Sequence, residues 1–471
     1  MMKKFLAICL ALVTACFAIN CGDGGENHGN YVATLKIGYY EAGYGTEFME
    51  YWTTEYNKAH PDEQINFEID PNIGATVIGP ALQNNAGICD IYLSLATNWY
   101  GWARSGWIEP LDDIGDMVNP DGVKFDDAYT LDTYRNFGYI DGHRYVLSQS
   151  GGSLGNGFVY SEKLFKQHGW KVPETVDELY ELVETINNDP VNTDNNPDND
   201  IAPFGWGGQV MAYWDTVVSM WWAQYEGEEY IADFYKNPSP EKYQNREGLK
   251  KDLKIIEDLI CTGEGKAKNS MEGAMAKNHL LMQKDFVQYK SAMISGYYGI
   301  INETKGYIDP DCDLKVFFPA IEGAKTDANG NPVIINVADS TKCDFMFIPS
   351  ASKVKDYAKK FLVWISNRDC ASAYIRYTGG GSPYAYNEES LGDIPTLLRS
   401  VLDMGKQSNF KVVDISTDNP ITNIGKITMW PAGEPYTSMV LNNTSPAATI
   451  SAQYNFVREK WTEWEKAAGL K

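Results

Sequence analysis

The sequence predicts an α/β protein built as two lobes, and three observations carry that prediction. Strand-like and helix-like patterns alternate through the first part of the folded region, the order that builds a parallel sheet covered by helices. At 471 residues the chain is far longer than one ordinary domain. The only long apolar run stands at the start, so the body after it is expected to work outside the bilayer.

Met1 to Asn20 reads MMKKFLAICLALVTACFAIN: two lysines, then an almost unbroken apolar run that stops at Cys21. Lysines hold the amino end on the cytoplasmic side while the apolar run enters the membrane, as in a secretory leader. The run is too short and ends too abruptly for a spanning helix. The GDGGENHGN tract after Cys21 can bury nothing, so residues 22–32 read as a flexible tether. Leader, cysteine and tether together resemble a bacterial lipoprotein, whose cysteine carries lipid and becomes the new amino end. Cys21 is the expected attachment point because the polar tether begins there. Val13-Thr14-Ala15-Cys16 is the alternative, since the small Ala15 fits the lipoprotein pattern better than Asn20 does.

Residues 34–40 (TLKIGYY) read as a buried strand. Thr46 can cap a helix in which Phe48, Met49, Trp52 and Tyr56 recur at helical spacing, with Pro61 just past its end. Ile65, Phe67 and Ile69 alternate along a second strand, 64–70. A short helix near 75–84 and a strand from Asp90 to Leu95 complete a βαβαβ unit, whose crossovers demand a parallel sheet. Ligands of such sheets sit beyond the carboxyl ends of the strands. The loops emerging there carry Tyr40, Glu41 and Tyr44 after the first strand, and Asn98 and Trp99 after the third.

A second unit follows residues 144–150. GFVY (157–160) reads as a strand and 161–168 as a short helix; Thr175 and Glu178 form a capping box over an apolar stripe of Val176, Leu179, Leu182, Val183 and Ile186. Residues 203–227 hold a glycine turn and a Trp-rich helix, where adjacent Trp221 and Trp222 cannot both face a cleft. Segments 291–300 and 344–349 read as returns of the chain between lobes, and helices close the sequence at 353–376 and 450–466.

Composition narrows the function. Lys and Arg total 40 against 63 Asp and Glu, a net charge of −23, which disfavours nucleic acid and anionic headgroups as partners. Contact with the membrane is therefore expected only through the anchor. Three of the eight cysteines lie in the leader or anchor. Cys89, Cys261, Cys312, Cys343 and Cys370 are scattered and odd in number, unlike a disulfide framework, and read as small apolar core residues. The 13 Trp and 30 Tyr are more than an acidic soluble chain needs for cores alone, and hint at a surface that grips flat apolar faces.

Across nearly the whole chain a resemblance emerges. WARSGWIEPLDDI (102–114), GFVYSEKLFKQHGWKVPETVDELYELVETI (157–186), IAPFGWGG (201–208), SAMISGYYG (291–299), AKKFLVWISN (358–367) and MWPAGEPYTSMVLNN (429–443) stand in the order of segments in extracellular solute-binding proteins of the carbohydrate class. Ser161 and Val176 depart from that pattern. The resemblance implies a type II periplasmic-binding-protein-like fold, with two α/β lobes closing on a sugar or oligosaccharide through a hinge and an inter-lobe cleft. It further implies a monomer that delivers its cargo to the permease subunits of an ABC importer, at the cell surface or in the periplasm. The lobes would interleave, with 33–147 and 292–345 in the first and 148–291 and 346–471 in the second. By the same resemblance Tyr298, Trp430 and Tyr436 would stack on the ligand. Trp206, opening the Trp-rich segment, joins Trp99 as a further stacking candidate. Asn98, Glu41 and Asp339 are candidate partners for hydroxyls. The alternatives are the same fold serving a peptide, a polyol or an acidic solute.

Two motifs point elsewhere. Gly151-Gly152-Ser153-Leu154-Gly155 matches the serine-hydrolase pattern G-x-S-x-G, yet the residues after it read as a strand, where that mechanism needs a helix. A hydrolase using Ser153 is the contrasting reading, and the expectation is no catalysis. Asp194, Asn196, Asp198 and Asp200 place oxygens at alternating positions like a calcium loop, but Gly205 stands where the bidentate glutamate belongs. No cofactor is expected to be required; a structural calcium at these four residues is the open alternative to an Asx-rich surface turn.

Overall fold

The computed structural model describes residues 31–41, 43–94, 98–151, 156–296, 299–309, 312–338, 343–415 and 419–471. The leader and Cys21, as well as Tyr298, Asp339 and Ser153, lie outside the described residues. In chain order the strands are β1 (Ala33–Tyr39), β2 (Ile65–Asp70), β3 (Ile91–Ser94), β4 (Tyr139–Ile140), β5 (His143–Arg144) and β6 (Leu147–Ser148). They continue with β7 (Gly157–Ser161), β8 (Ala202–Gly205), β9 (Ser291–Gly296), β10 (Leu314–Phe317), β11 (Ile334–Ala338), β12 (Phe345–Phe347) and β13 (Phe410–Asp414).

Two sheets organise the chain. The first has the order β2-β1-β3-β12-β6, and the second β10-β7-β9-β8. β1 runs parallel to β2 and β3, as the βαβαβ pattern requires, while β12 is antiparallel to β3 and to β6. Each sheet has its own core. The first packs Leu35, Ile37, Phe48, Trp52, Ile91 and Met346 against Phe361 and Tyr374; the second packs Phe158, Phe204 and Met293 against Leu179, Trp221 and Leu253. Fully burying rings such as Trp52 and Trp221 removes roughly 200 Å² each from water, an upper limit of about 5 kcal/mol per ring.

The local reasons match the sequence pattern in most elements. Helix Glu47–Ala59 buries Phe48, Met49, Trp52 and Tyr56 on one face, as their spacing predicts. Thr46 sits at its N-cap without a capping hydroxyl bond; the Glu47 carboxylate accepts the Thr46 N–H instead. The capping box of Thr175 and Glu178 is formed. Residues 353–376 form two helices, Lys355–Trp364 and Arg368–Thr378, because Asn367 caps the second one anew through the Cys370 N–H. Of the five cysteines named above, Cys89, Cys261, Cys343 and Cys370 are buried and Cys312 is half-buried. No helix among the described residues is long and apolar enough to cross a membrane.

The interleaving of the lobes needs correction. β9 and β10 hydrogen-bond to β7 and so belong to the second sheet, although 292–345 was expected in the first lobe. Residues 346–384 pack the other way: β12 joins the first sheet, and Phe361, Leu362, Tyr374 and Tyr384 fill its core. The chain therefore crosses between β6 and β7, between β11 and β12, and again after Tyr384, where helix Thr396–Gly405 packs on β10 through Leu397 and Val401. Apolar strands carry no label for the sheet they will join.

Candidate functional site

At the first sheet, β12 runs antiparallel to both β3 and β6, so the carboxyl ends of β1, β3 and β6 and the start of β12 meet at one edge. Asp344 is the knot there. Its main-chain oxygen accepts from the Gln149 N–H at 2.8 Å, and its N–H donates to Ser150 Oγ at 2.7 Å. Tyr44 donates its hydroxyl to Asp344 Oδ2. Burial raises the Asp344 carboxyl to about 6 against the downward pull of these donors.

The second lobe carries the cavity, between helix Asp215–Glu226 and β11. Gly205 and Gly207 flank Trp206, and a methyl on Gly207 would lie 2.6 Å from the Lys277 carbonyl oxygen, so only glycine lets the chain turn this close. The turn leads into helix Asp215–Glu226. On that helix Asp215, Ser219 and Trp222 fall at positions i, i+4 and i+7, one face of the 3.6-residue period. With Asn156, Val210, Ala212, Tyr213, Thr216, Tyr235, Asn336, Val337 and Met429 they line a cavity of about 550 Å³. The opposite face is core, where Trp221 donates to the Pro319 carbonyl at 2.7 Å. Asn156, just before β7, and Asn336, within β11, meet at 3.4 Å.

Asp215 is the one carboxylate in this lining, which contains neither lysine nor arginine. Trp430 Nε1 reaches Asp215 Oδ1 at 2.8 Å, and the Tyr436 hydroxyl donates to the same oxygen at 2.6 Å. Burial lifts the Tyr436 phenol well above its ordinary value, helped by Asp215, so the phenol keeps its proton for that bond. Asn, Thr and Ser groups beside Trp and Tyr rings suit an uncharged, polyhydroxylated solute, whose ring presents C–H faces and whose rim presents hydroxyls.

The expected residues are distributed unevenly over this geometry. Trp430 and Tyr436 come together as buried braces on Asp215, with 7% and 0% exposure. Trp206 lines a smaller chamber adjoining the cavity. Trp99 is a correction: the loop after β3 continues as helix Trp99–Arg104 and turns the ring into a core against Phe137, at a centroid distance of 5.5 Å. Asn98 is exposed at the start of that helix. Tyr40, 63% exposed, and Glu41 lie on the surface past β1, and Tyr44 is tied to Asp344. Asp215, Trp222, Tyr213, Tyr235 and Asn336 were missed. Only the Asp-Ser-Trp spacing on one helix face could have signalled the first two.

The calcium loop is held by its own backbone. Asp194 accepts from the Asn196 N–H at 2.8 Å and from the Asn199 side chain at 2.9 Å, and Asn196 accepts from the Asp198 N–H at 3.4 Å. Among the described residues no three His, Cys, Asp or Glu side chains gather to hold a metal ion. These bonds form successive Asx-turns at Asp194 and Asn196.

Comparison with known proteins agrees with this architecture. A structure from work on xylan utilisation by Caldanaerobius polysaccharolyticus has 16% identity and a TM-score of 0.60, covering 90% of this chain and 100% of that one. The GacH receptor of Streptomyces glaucescens, solved unliganded and with acarbose, gives 14% identity and a TM-score of 0.60 over 91% of this chain and 98% of its own. The solute-binding protein RafE in complex with raffinose gives 15% and 0.55 over 89% and 99%. At such identities these likenesses establish the fold, the two-lobe architecture. No curated protein sequence matches the chain. The sequence profile of the bacterial extracellular solute-binding protein family matches residues 40–369, which takes in the second sheet, the first sheet except β1, and the cavity-bearing helix. The chain belongs to the bacterial extracellular solute-binding protein family.

Proposed function

We propose that this protein captures a neutral sugar or oligosaccharide in the cavity over helix Asp215–Glu226 and delivers it to the permease subunits of an ABC importer. The single observation behind this is the cavity lining: Trp222, Tyr213 and Tyr235 rings beside Asn156, Asn336, Thr216, Ser219 and one carboxylate, without a cation. Rings match the C–H faces of a pyranose, and the small polar groups match its hydroxyls. A carboxylate in a lining without lysine or arginine disfavours uronic acids and other anions. GacH with acarbose and RafE with raffinose support the same class of ligand. In this reading the protein works as a monomer without turnover, held at the outer face of the membrane by lipid on Cys21.

The test is a thermal-unfolding screen of residues 22–471 against mono- and oligosaccharides, peptides, polyols and organic acids. A ligand at a hundredfold over its dissociation constant adds about 2.7 kcal/mol. A rise in the midpoint with one sugar class is the expected result. A rise only with peptides or acids overturns the sugar reading while leaving the family in place. Mass spectrometry of membrane-extracted protein, with diacylated Cys21 as the new amino end, tests the anchor.

A further inference from the structure

Behind the main cavity lies a second chamber, lined by Trp206, Trp214, Gln283 and Ser295 and sharing Val210 and Tyr213 with the first. Each of those four side chains carries a fully buried polar atom with no partner in the protein: the indole nitrogens of Trp206 and Trp214, Gln283 Oε1 and Ser295 Oγ. Leaving one such atom unsatisfied is costly, and four around one chamber are well beyond the usual exception. Gln283 lies beside Glu303, and its Oε1 stays uncommitted. An alcohol group accepts twice and donates once, so the two indole N–H donors and Gln283 Oε1 complement it, with Ser295 Oγ as an alternative partner in either role.

Size limits what enters. The chamber has about 10 Å³ open to the centres of water-sized particles, room for roughly one oxygen-sized group and far too little for a sugar ring. Because the chamber is this small and shares Val210 and Tyr213 with the main cavity, a group that reaches it must project from the ligand on a stem. Resting on the sugar reading above, we propose that this chamber receives the exocyclic hydroxymethyl group of a bound hexose unit, and so selects hexose over pentose saccharides.

The experiment is titration calorimetry of wild type, Trp206→Phe and Gln283→Leu against cellobiose and xylobiose, which differ only by the hydroxymethyl groups. Wild type is expected to prefer cellobiose by at least about tenfold, because a site built to bond a hydroxyl rejects the analogue lacking it. Both variants should lose roughly tenfold in cellobiose affinity and leave xylobiose unchanged, since Trp206→Phe keeps an aromatic ring but loses the N–H, and Gln283→Leu loses the Oε1 acceptor at similar volume. Equal losses for both disaccharides, or equal wild-type affinities, overturn the proposal. If no saccharide binds, the sugar reading fails by itself, and a high-resolution crystal structure of the ligand-free protein judges the chamber. An ordered oxygen within about 3.2 Å of Trp206 Nε1 and Ser295 Oγ supports an alcohol-sized polar site; a dry chamber overturns it.

Discussion

Trp430 and Asp215 are held 2.8 Å apart, indole nitrogen to carboxylate oxygen, although 215 positions separate them in the chain. The carboxyl-terminal part of the chain thereby braces the first turn of the helix that floors the cavity. Tyr436 adds its hydroxyl to the same oxygen, and Arg246, buried nearby, lies over the Trp430 ring at 5.6 Å.

Removing that acceptor takes the carboxylate from the Tyr436 hydroxyl and leaves Trp430 Nε1 only the Tyr436 oxygen, 3.2 Å away. Asp215→Ala is expected to lower the unfolding free energy by about 2–5 kcal/mol and to abolish ligand binding. Asp215→Asn retains an acceptor for Trp430 and should fall between the two. Urea unfolding followed by tryptophan fluorescence, with calorimetry on the folded protein, reads both effects. Unchanged stability of Asp215→Ala would contradict the bracing role.

Trp222 and Trp99 separate site from scaffold. Each is buried, so Trp→Ala at either position should cost about 3–5 kcal/mol. Only Trp222→Ala is expected to remove ligand affinity, because Trp222 lines the cavity and Trp99 lies in a first-lobe core. A dissociation constant that moves equally in both variants would place the ligand elsewhere.

Asp344 makes stability pH-dependent in a stated direction. Its folded value, raised from 3.8 to about 6, means that the folded state keeps the proton across that window while the unfolded state releases it. Stability from this group is full below the ordinary value and declines as pH rises to about 6, by about 3 kcal/mol at 1.36 kcal/mol per unit. Asp344→Asn has no proton to lose. It should match wild type at pH near 4 and exceed it at pH 7 in thermal melts; a constant difference between the two pH values would refute the assignment.

Calcium and a chelator should leave the melting midpoint of the ligand-free protein within error. The Asp194 carboxylate already serves the Asn196 N–H and the Asn199 side chain, and a cation would have to displace them. A calcium-dependent rise lost in Asp194→Ala would restore the cation loop.

Much of the architecture was legible from residue order alone. The parallel β1, β2 and β3, the apolar face of helix Glu47–Ala59 and the capping box at Thr175 follow from spacing and local chemistry, because each is specified within a few residues. The hydrolase reading of Ser153 was weakened in the same way, since 157–161 is a strand. The site was much less legible. Trp99 and Trp222 look alike in sequence, and one fills a core while the other floors the cavity.

The sequence by itself determined the class of fold, the order of its elements, the acidic surface and the family, since all of these are sums over local patterns. Tertiary structure alone decided which strands share a sheet, that Trp430 and Tyr436 converge on Asp215, and that the indoles of Trp206 and Trp214 share a chamber with Gln283 and Ser295. The physical reason is distance along the chain: these groups meet only after apolar burial has chosen how the two lobes pack, and no local propensity encodes that choice.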